Sequence, residues 1–490
     1  MPNAANPIAT SRVRRIFLLA LAGAVGCAAD GDSDGRPLTS SAGAVTAAGT
    51  GAKLDLLFMI DNSSSMLPAQ QKLLSEMQSF AAALEALPGG LPDLHIAVVS
   101  SDMGAPGDSA EPIGCTQSGD GGQFHSEPHN GCASTGLEWG GTFISTSGGS
   151  ANFTGPLADV LTCIAPLGAT GCGFEHQLAS VARALGADGK GPPPPSNNGF
   201  LRADAELAII LLTNEDDCSA PEDTPLYSLN GFPQSQQNPM GPIANYRCNR
   251  YGHLCKDPLS ADPNALVMPP QLPPADATGS PPSISLTECV SDDGCSGLLT
   301  PVVSFVNGIK ALKANPDQIV VGAIVAPPEP YAVKWVPPAP PPPGSAGELW
   351  PEVLHSCGAL SGNGVNPAGQ NADDGSFGDP AVRIAQWVRA FGANGFISSI
   401  CDSTYAGPMQ QLATLIAAHL QPSGAPPATP APSETGPLAT SAACGVHGRP
   451  TGHPGGASGC SVAADRQPRW AAVALAGLAL VAFRARRRRR

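Results

Sequence analysis

Charged side chains are scarce: Asp, Glu, Lys and Arg make up 13% of the 490 residues, while 42% are hydrophobic, so the chain is not disordered throughout. Basic residues are scarcer still in the middle of the chain. Three Arg precede Cys27 and eight follow Cys460, leaving 15 Lys and Arg against 39 Asp and Glu between them, a net charge of about −24. Such a surface repels phosphate backbones and excludes nucleic acid as a partner class. No apolar run reaches the ~20 residues that carry a standard helix across a bilayer. There is no CxxC…CxxC zinc pattern. Gly186–Lys190 lacks the spacing and the following Ser or Thr of a phosphate-binding loop. Gly31, Ser33 and Gly35 fit GxSxG, but neither a strand before nor a helix after supplies the strained elbow that would expose the serine. His125 and His129 are four apart, yet Pro128 argues against a helix presenting both, and they read as loop histidines. No nucleophile, base and oxyanion donors assemble, so the chain is not expected to be an enzyme.

Abundant instead are Gly and Pro, 57 and 52 residues, about a fifth of the chain, which implies long loops and linkers beside a real core. Residues 1–27 read as an export signal: Arg12, Arg14 and Arg15, then an apolar run from Ile16 to Val25. The sequence Ala24-Val25-Gly26-Cys27 resembles a bacterial lipobox, with Ala24 where Leu is usual, and Cys27 as the lipid-bearing residue. An ordinary signal peptide with an incidental Cys is the competing reading. At the other end, Gly459-Cys460, an apolar stretch from Trp470 to Phe483 and a terminal Arg cluster resemble the MYXO-CTERM type of sorting tail. That resemblance implies processing near Cys460 and display on the cell surface; a plain C-terminal membrane anchor is the alternative. Either way the protein is expected to be exported, at the cell surface or outer membrane, and membrane-anchored. Setting aside Cys27 and Cys460 leaves twelve Cys, an even number that reads as disulfides in an exported chain. Proximity suggests Cys115/Cys132, Cys163/Cys172, Cys248/Cys255, Cys289/Cys295 and Cys357/Cys401, although sequence does not fix connectivity.

Residues 28–50 and 422–459 read as a tether and a Pro/Gly-rich linker, the latter reaching about 35 Å if flexible. Between them, residues 51–421 alternate apolar runs with helical patterns, as expected of an α/β domain, doubly wound around a mostly parallel sheet. Buried strands are expected at 54–60, 95–100, 206–213, 318–325 and 395–400. Helices are expected at 174–185, 298–312, 379–391 and 409–420, with another carrying Leu73, Met77, Phe80, Ala81 and Leu84 on one stripe. Residues 102–165, 219–296 and 327–350 read as long insertions, loop-like and in part Cys-bearing.

Asp61-Asn62-Ser63-Ser64-Ser65 follows the first strand and opens a helix, at the strand ends where open α/β sheets bind ligands. Asp61, Ser63 and Ser65 offer a carboxylate and two hydroxyls, oxygen donors suited to a hard cation; an N-cap is the bland alternative. This Asp-x-Ser-x-Ser pattern after an apolar strand resembles the metal-ion-dependent adhesion site of von Willebrand factor type A domains. The resemblance spans residues 51–421 between insertions and implies a Rossmann-like fold and a bound Mg²⁺, with Mn²⁺ or Ca²⁺ as alternatives. It implies a Thr from a second loop, matched by Thr170, and an Asp after a later strand. Asn214 stands in that Asp's place and Glu215 where Gly is usual, which removes one negative charge; Asp216 or Asp217 are alternative donors, or simply a solvated acidic turn. The mechanism implied is binding: a cation with one open position captures a carboxylate on an extracellular or envelope protein or glycan. The competing function is an envelope scaffold whose domain does not depend on metal.

Overall fold

A computed structural model describes residues 51–420 apart from 88, 107–113, 130, 135, 139–140, 229–234, 237, 339–346 and 359–375. The signal, tether, linker and sorting tail inferred above, with Cys27 and Cys460, lie outside the described residues.

The chain opens with β1 (Lys53–Ile60), α1 (Leu67–Glu85) and β2 (Asp93–Ser100), followed by β3 (Ile144–Ser147), β4 (Ser150–Ala151) and α2 (Leu157–Ile164). Next come α3 (Gln177–Leu185), β5 (Glu206–Leu212), α4 (Tyr246–Gly252), β6 (His253–Lys256), β7 (Leu266–Val267) and β8 (Ser283–Ser291). Then follow α5 (Val302–Lys310), β9 (Ile319–Val325), β10 (Tyr331–Val336), β11 (Trp350–Val353), β12 (Cys357–Gly358) and β13 (Phe377–Gly378). The described fold closes with α6 (Val382–Arg389), β14 (Gly395–Ser399) and α7 (Ala406–Leu420).

The central sheet has seven strands in the order β14-β9-β5-β1-β2-β3-β4. The first five pair in parallel and the β2-β3-β4 edge is antiparallel. Strands buried on both faces must be apolar on both, which is why β1, β5 and β9 are nearly continuous hydrophobic runs. Leu54, Leu56, Phe58 and Ile60 of β1 pack with Leu73, Met77, Phe80 and Leu84 of α1, together with α2 and α7. Each of those four α1 side chains, fully buried, stabilises the fold by about 1.5–3 kcal/mol, and Phe80 meets Phe58 edge-on at 5.9 Å. Leu57 and Met59 point the other way, into a core shared with α3, α5 and α6. The fold is therefore α/β, with helices on both faces of a mostly parallel sheet, as expected. Midway along β9, Gly322 has no room for a Cβ, which would lie 2.4 Å from the Phe396 ring; the glycine lets β14 pack its aromatic there.

The insertions are more ordered than the sequence suggests. The 102–165 segment, expected as loop, contributes β3, β4 and α2. The 219–296 and 327–350 segments, joined by β11, build a second, antiparallel sheet in the order β11-β10-β8-β6-β7. In β10, Tyr331, Val333 and Trp335 are buried while Ala332, Lys334 and Val336 are half-buried, the alternation of a strand covered on one face.

Among the described residues, disulfides join Cys115–Cys172, Cys132–Cys163, Cys218–Cys248, Cys255–Cys289 and Cys357–Cys401, and Cys295 is disulfide-bonded as well. Of these pairs, only Cys357–Cys401 matches the pairing by proximity. Cys248 ends up in α4 and Cys255 in β6, rigid elements that follow directly on one another. The antiparallel register of β6 on β8 instead brings Cys255 to Cys289. This many disulfides indicates an exported or extracellular protein. No helix among the described residues is long and apolar enough to cross a membrane.

Candidate functional site at the end of the central strand

β1 lies at the centre of the sheet, with β2 on one side and β5 on the other. The chain therefore runs outward in opposite directions from this point, and a crevice opens at the carboxyl ends of β1 and β5. The Asp61–Ser65 loop and the loop after β5 both lie there, held together by Asp61 N–H donating to Leu212 O at 2.9 Å.

Asp61 is fully buried. Its Oδ1 accepts from the backbone N–H of Ser63 at 2.8 Å and from Ser101 Oγ at 2.9 Å; its Oδ2 accepts from Thr213 Oγ1 at 2.7 Å. Burial raises its pKa, against the pull of these hydrogen bonds. Ser63 Oγ and Ser65 Oγ are 3.4 Å apart, and Ser65 Oγ donates to Asn214 Oδ1 at 3.1 Å. Asp61, Ser63, Ser65 and Asn214 thus form one connected group, and Asn214 turns its carbonyl oxygen toward the serines.

The loop bearing Thr170 packs against this group through its backbone. Gly171 N–H donates to Asn62 O at 2.8 Å, and Gln70 of α1 donates through Nε2 to both Asp61 O and Gly168 O at 2.8 Å. A Cβ at position 171 would fall 2.1 Å from Asn62 Oδ1, so only glycine permits this approach. Thr170 itself is an exposed residue of that loop.

Asp216 and Asp217 are committed elsewhere. The Asp216 carboxylate accepts from the N–H groups of Arg383 and Ile384 at the start of α6, and from His253 Nε2 at 2.7 Å. Asp217 accepts from Leu178 N–H at the start of α3 and from the buried guanidinium of Arg383. Two consecutive aspartates therefore cap two different helices, each placing its charge where the first-turn N–H groups and the helix dipole favour it. Neither faces Asp61 as a donor.

Three groups that sequence reasoning missed stand beside the site. Ser101 and Thr213 hold Asp61, and each directly follows a strand flanking β1, a placement visible only once strand order is known. The buried Glu175 and the half-buried Glu215 lie in one another's electrostatic field, and both are also in that of Asp61. Desolvation first, then the neighbouring acids, pushes Glu175 well above the ordinary carboxylate range. Desolvation, with Asp379 next, raises Glu215 to about 8. Gln177 sits between the two loops, donating to Thr213 Oγ1 at 2.9 Å and to Glu215 O at 3.2 Å.

The donor set can be tested against a cation. Among the described residues no three His, Cys, Asp or Glu side chains converge as a metal-binding group. A hard cation takes hydroxyl and amide oxygens as well as carboxylates, and those are the donors gathered here. Asn62 Oδ1, Glu175 Oε1 and Gln177 Oε1 are buried acceptors with no hydrogen-bond donor. Buried acceptors left without a donor fit a positively charged guest.

No family model matches the sequence, and no curated protein matches it. Among solved structures, the pilus adhesin RrgA of Streptococcus pneumoniae is similar at 12% identity with a TM-score of 0.21, over 56% of this chain. This chain spans 39% of that adhesin's length, and a likeness so slight carries no argument.

Proposed function

We propose that this is an exported, surface-displayed protein with a von Willebrand factor type A-like domain that captures a protein or glycan ligand through a divalent cation. The observation that carries the reading is the connected group of Asp61, Ser63, Ser65 and Asn214 at the topological switch point of the sheet. In it, Asp61, Ser63 and Ser65 hold Mg²⁺, or Mn²⁺ or Ca²⁺, with Thr170 and Asn214 beside them. The cation supplies a local positive centre in an acidic surface. A carboxylate from the partner is the ligand such a centre favours, and the chain's own residues position the cation rather than perform turnover. Anchoring through Cys27, Cys460 or both belongs to the same reading.

A second reading, an envelope scaffold independent of metal, is favoured by one observation. Asp216 and Asp217 are both taken by helix caps and the Arg383 pair, so neither aspartate that follows Asn214 in the loop restores its charge.

The discriminating experiment is calorimetric titration of the intact protein with Mg²⁺, Mn²⁺ and Ca²⁺ beside an Asp61→Ala variant. Saturable binding that the variant loses supports the adhesion-type site. Absence of binding in the intact protein overturns it and leaves the scaffold.

A further inference from the structure

The charge that Asn214 withholds has a candidate source one residue further along and one loop away. Glu175 is 1% exposed, with Oε1 unpartnered. Its neighbour Glu215 is tied down on one side only, by Asn245 Nδ2 donating to Oε2 at 2.5 Å. Among the described residues, no Lys or Arg forms an ion pair with Asp61, Glu175 or Glu215; the nearby Arg383 is taken by Asp217. The remaining acid in the field of Glu215 is Asp379, which is paired with His355 at 2.6 Å. Glu175 and the half-buried Glu215 therefore lie in one another's field and in that of Asp61 without a resident cationic side chain, a costly arrangement unless protons or a cation neutralise it.

A second observation points the same way and comes from an uncharged group. Gln177 is fully buried, and its Nε2 donates to Thr213 Oγ1 and to the Glu215 backbone oxygen. Its Oε1 is left as a buried acceptor without a donor in this same pocket of oxygens.

Resting on the reading of a cation site at Asp61, we propose that Glu175 and Glu215 supply the negative charge toward the bound divalent cation that Asn214 cannot. The site is then an acidic variant of the Asp-x-Ser-x-Ser arrangement. Its compensating carboxylates come from the position after the β5 loop's Asn and from the loop leading into α3. Glu175→Gln and Glu215→Gln keep shape and hydrogen-bonding capacity while removing charge.

The test is calorimetric Mg²⁺ titration of the intact protein, the two single Gln variants, the double variant and Asp61→Ala, with melting in chelator recorded for each. The double variant is expected to bind Mg²⁺ at least tenfold more weakly, while melting in chelator no lower than the parent protein because Gln keeps the shape and hydrogen-bonding capacity of the neutral acid. Should the double variant not fold, the same weakening is expected in each single variant, and to a lesser degree in Glu175→Asp. Binding that Asp61→Ala abolishes but the Gln variants leave within twofold overturns this inference and leaves the cation site standing. No binding by the intact protein overturns both.

Discussion

Arg383 and Asp217 form a fully buried ion pair, with Nη2 at 3.0 Å and Nε at 3.2 Å from one carboxylate oxygen. The pair ties α6 to the loop after β5, and the same Asp217 caps α3 through Leu178 N–H at 2.9 Å. Arg383 also donates to Thr300 O and Ser291 Oγ, reaching into the segment that carries the second sheet. This is the joint between the parallel sheet and its largest insertion.

Removing one partner leaves the other charge buried and unpaired, which costs about 3–5 kcal/mol. Arg383→Met is expected to destabilise the protein by that order in denaturant melts at neutral pH. In contrast, Asp217→Asn is expected to leave Mg²⁺ affinity within twofold of the parent, since Asp217 does not face the cation site. A large loss of affinity in Asp217→Asn, with folding intact, would return that residue to the ligand set.

The Cys115–Cys172 disulfide spans 57 residues and closes next to the Thr170 loop. Chain-entropy reasoning gives such a loop about 4 kcal/mol of stabilisation as an upper figure. Gly171, one residue from Cys172, is the backbone contact to Asn62. The double variant Cys115→Ser/Cys172→Ser is therefore expected to lower the melting temperature and to weaken Mg²⁺ binding severalfold. Cys132→Ser/Cys163→Ser, which opens a loop further from Asp61, is expected to lower stability alone. Calorimetric titration of both variants separates the two effects.

Legibility in the sequence follows the physics of burial. β1, β2, β5 and β9 were readable because strands covered on both faces are continuous apolar runs, and α1 because its stripe repeats at helical spacing. β10 was not: its alternation of Tyr331, Val333 and Trp335 is a proper strand pattern, but Pro330 and Pro337 on either side mark it as loop. β6 and β8 find their partners across long stretches that carry no local signal of pairing. At the site, Asp61, Ser63 and Ser65 are local in sequence and so visible as a motif. Ser101, Glu175 and Thr213 come from loops, and Gln177 from the start of α3, which only the strand order brings together. The roles of Asp216 and Asp217 were hidden for the same reason, since the helices they cap lie far along the chain in the case of α6 and on another loop in the case of α3.

His176 is buried, stacked obliquely near Tyr227 with ring centroids 5.4 Å apart. Burial lowers its pKa from 6.5 to about 4, against the pull of its hydrogen bond to the Gly104 backbone; the Lys190 charge adds to the lowering. Between those two values the unfolded chain holds a proton that the folded protein refuses. His176 thus contributes stability that is fully present above pH 6.5 and is lost as pH falls toward 4, up to about 3 kcal/mol. A His176→Gln variant is expected to show a shallower loss of stability over this window than the parent protein. Chemical denaturation in chelator at half-unit pH steps measures the difference, and equal slopes would remove His176 as a source.

Asn214→Asp tests the site from the opposite direction to a deletion. The Asn214 carbonyl oxygen already accepts from Ser65 Oγ at 3.1 Å, and its Nδ2 is buried without an acceptor. Asp in the same rotamer keeps that bond and replaces an unsatisfied donor by a second anionic oxygen, beside Asp61 and near the Glu175–Glu215 pair. With a divalent cation present, the added charge strengthens binding, and affinity for Mg²⁺ is expected to rise about tenfold or more. In chelator the same charge has only like charges for company, and the variant is expected to melt below the parent by an amount corresponding to about 1–3 kcal/mol. The two effects have opposite sign, so the shift in melting temperature on adding Mg²⁺ should be larger in Asn214→Asp than in the parent protein. A scaffold domain without a cation site would show the destabilisation alone, with no rescue by Mg²⁺ at any concentration.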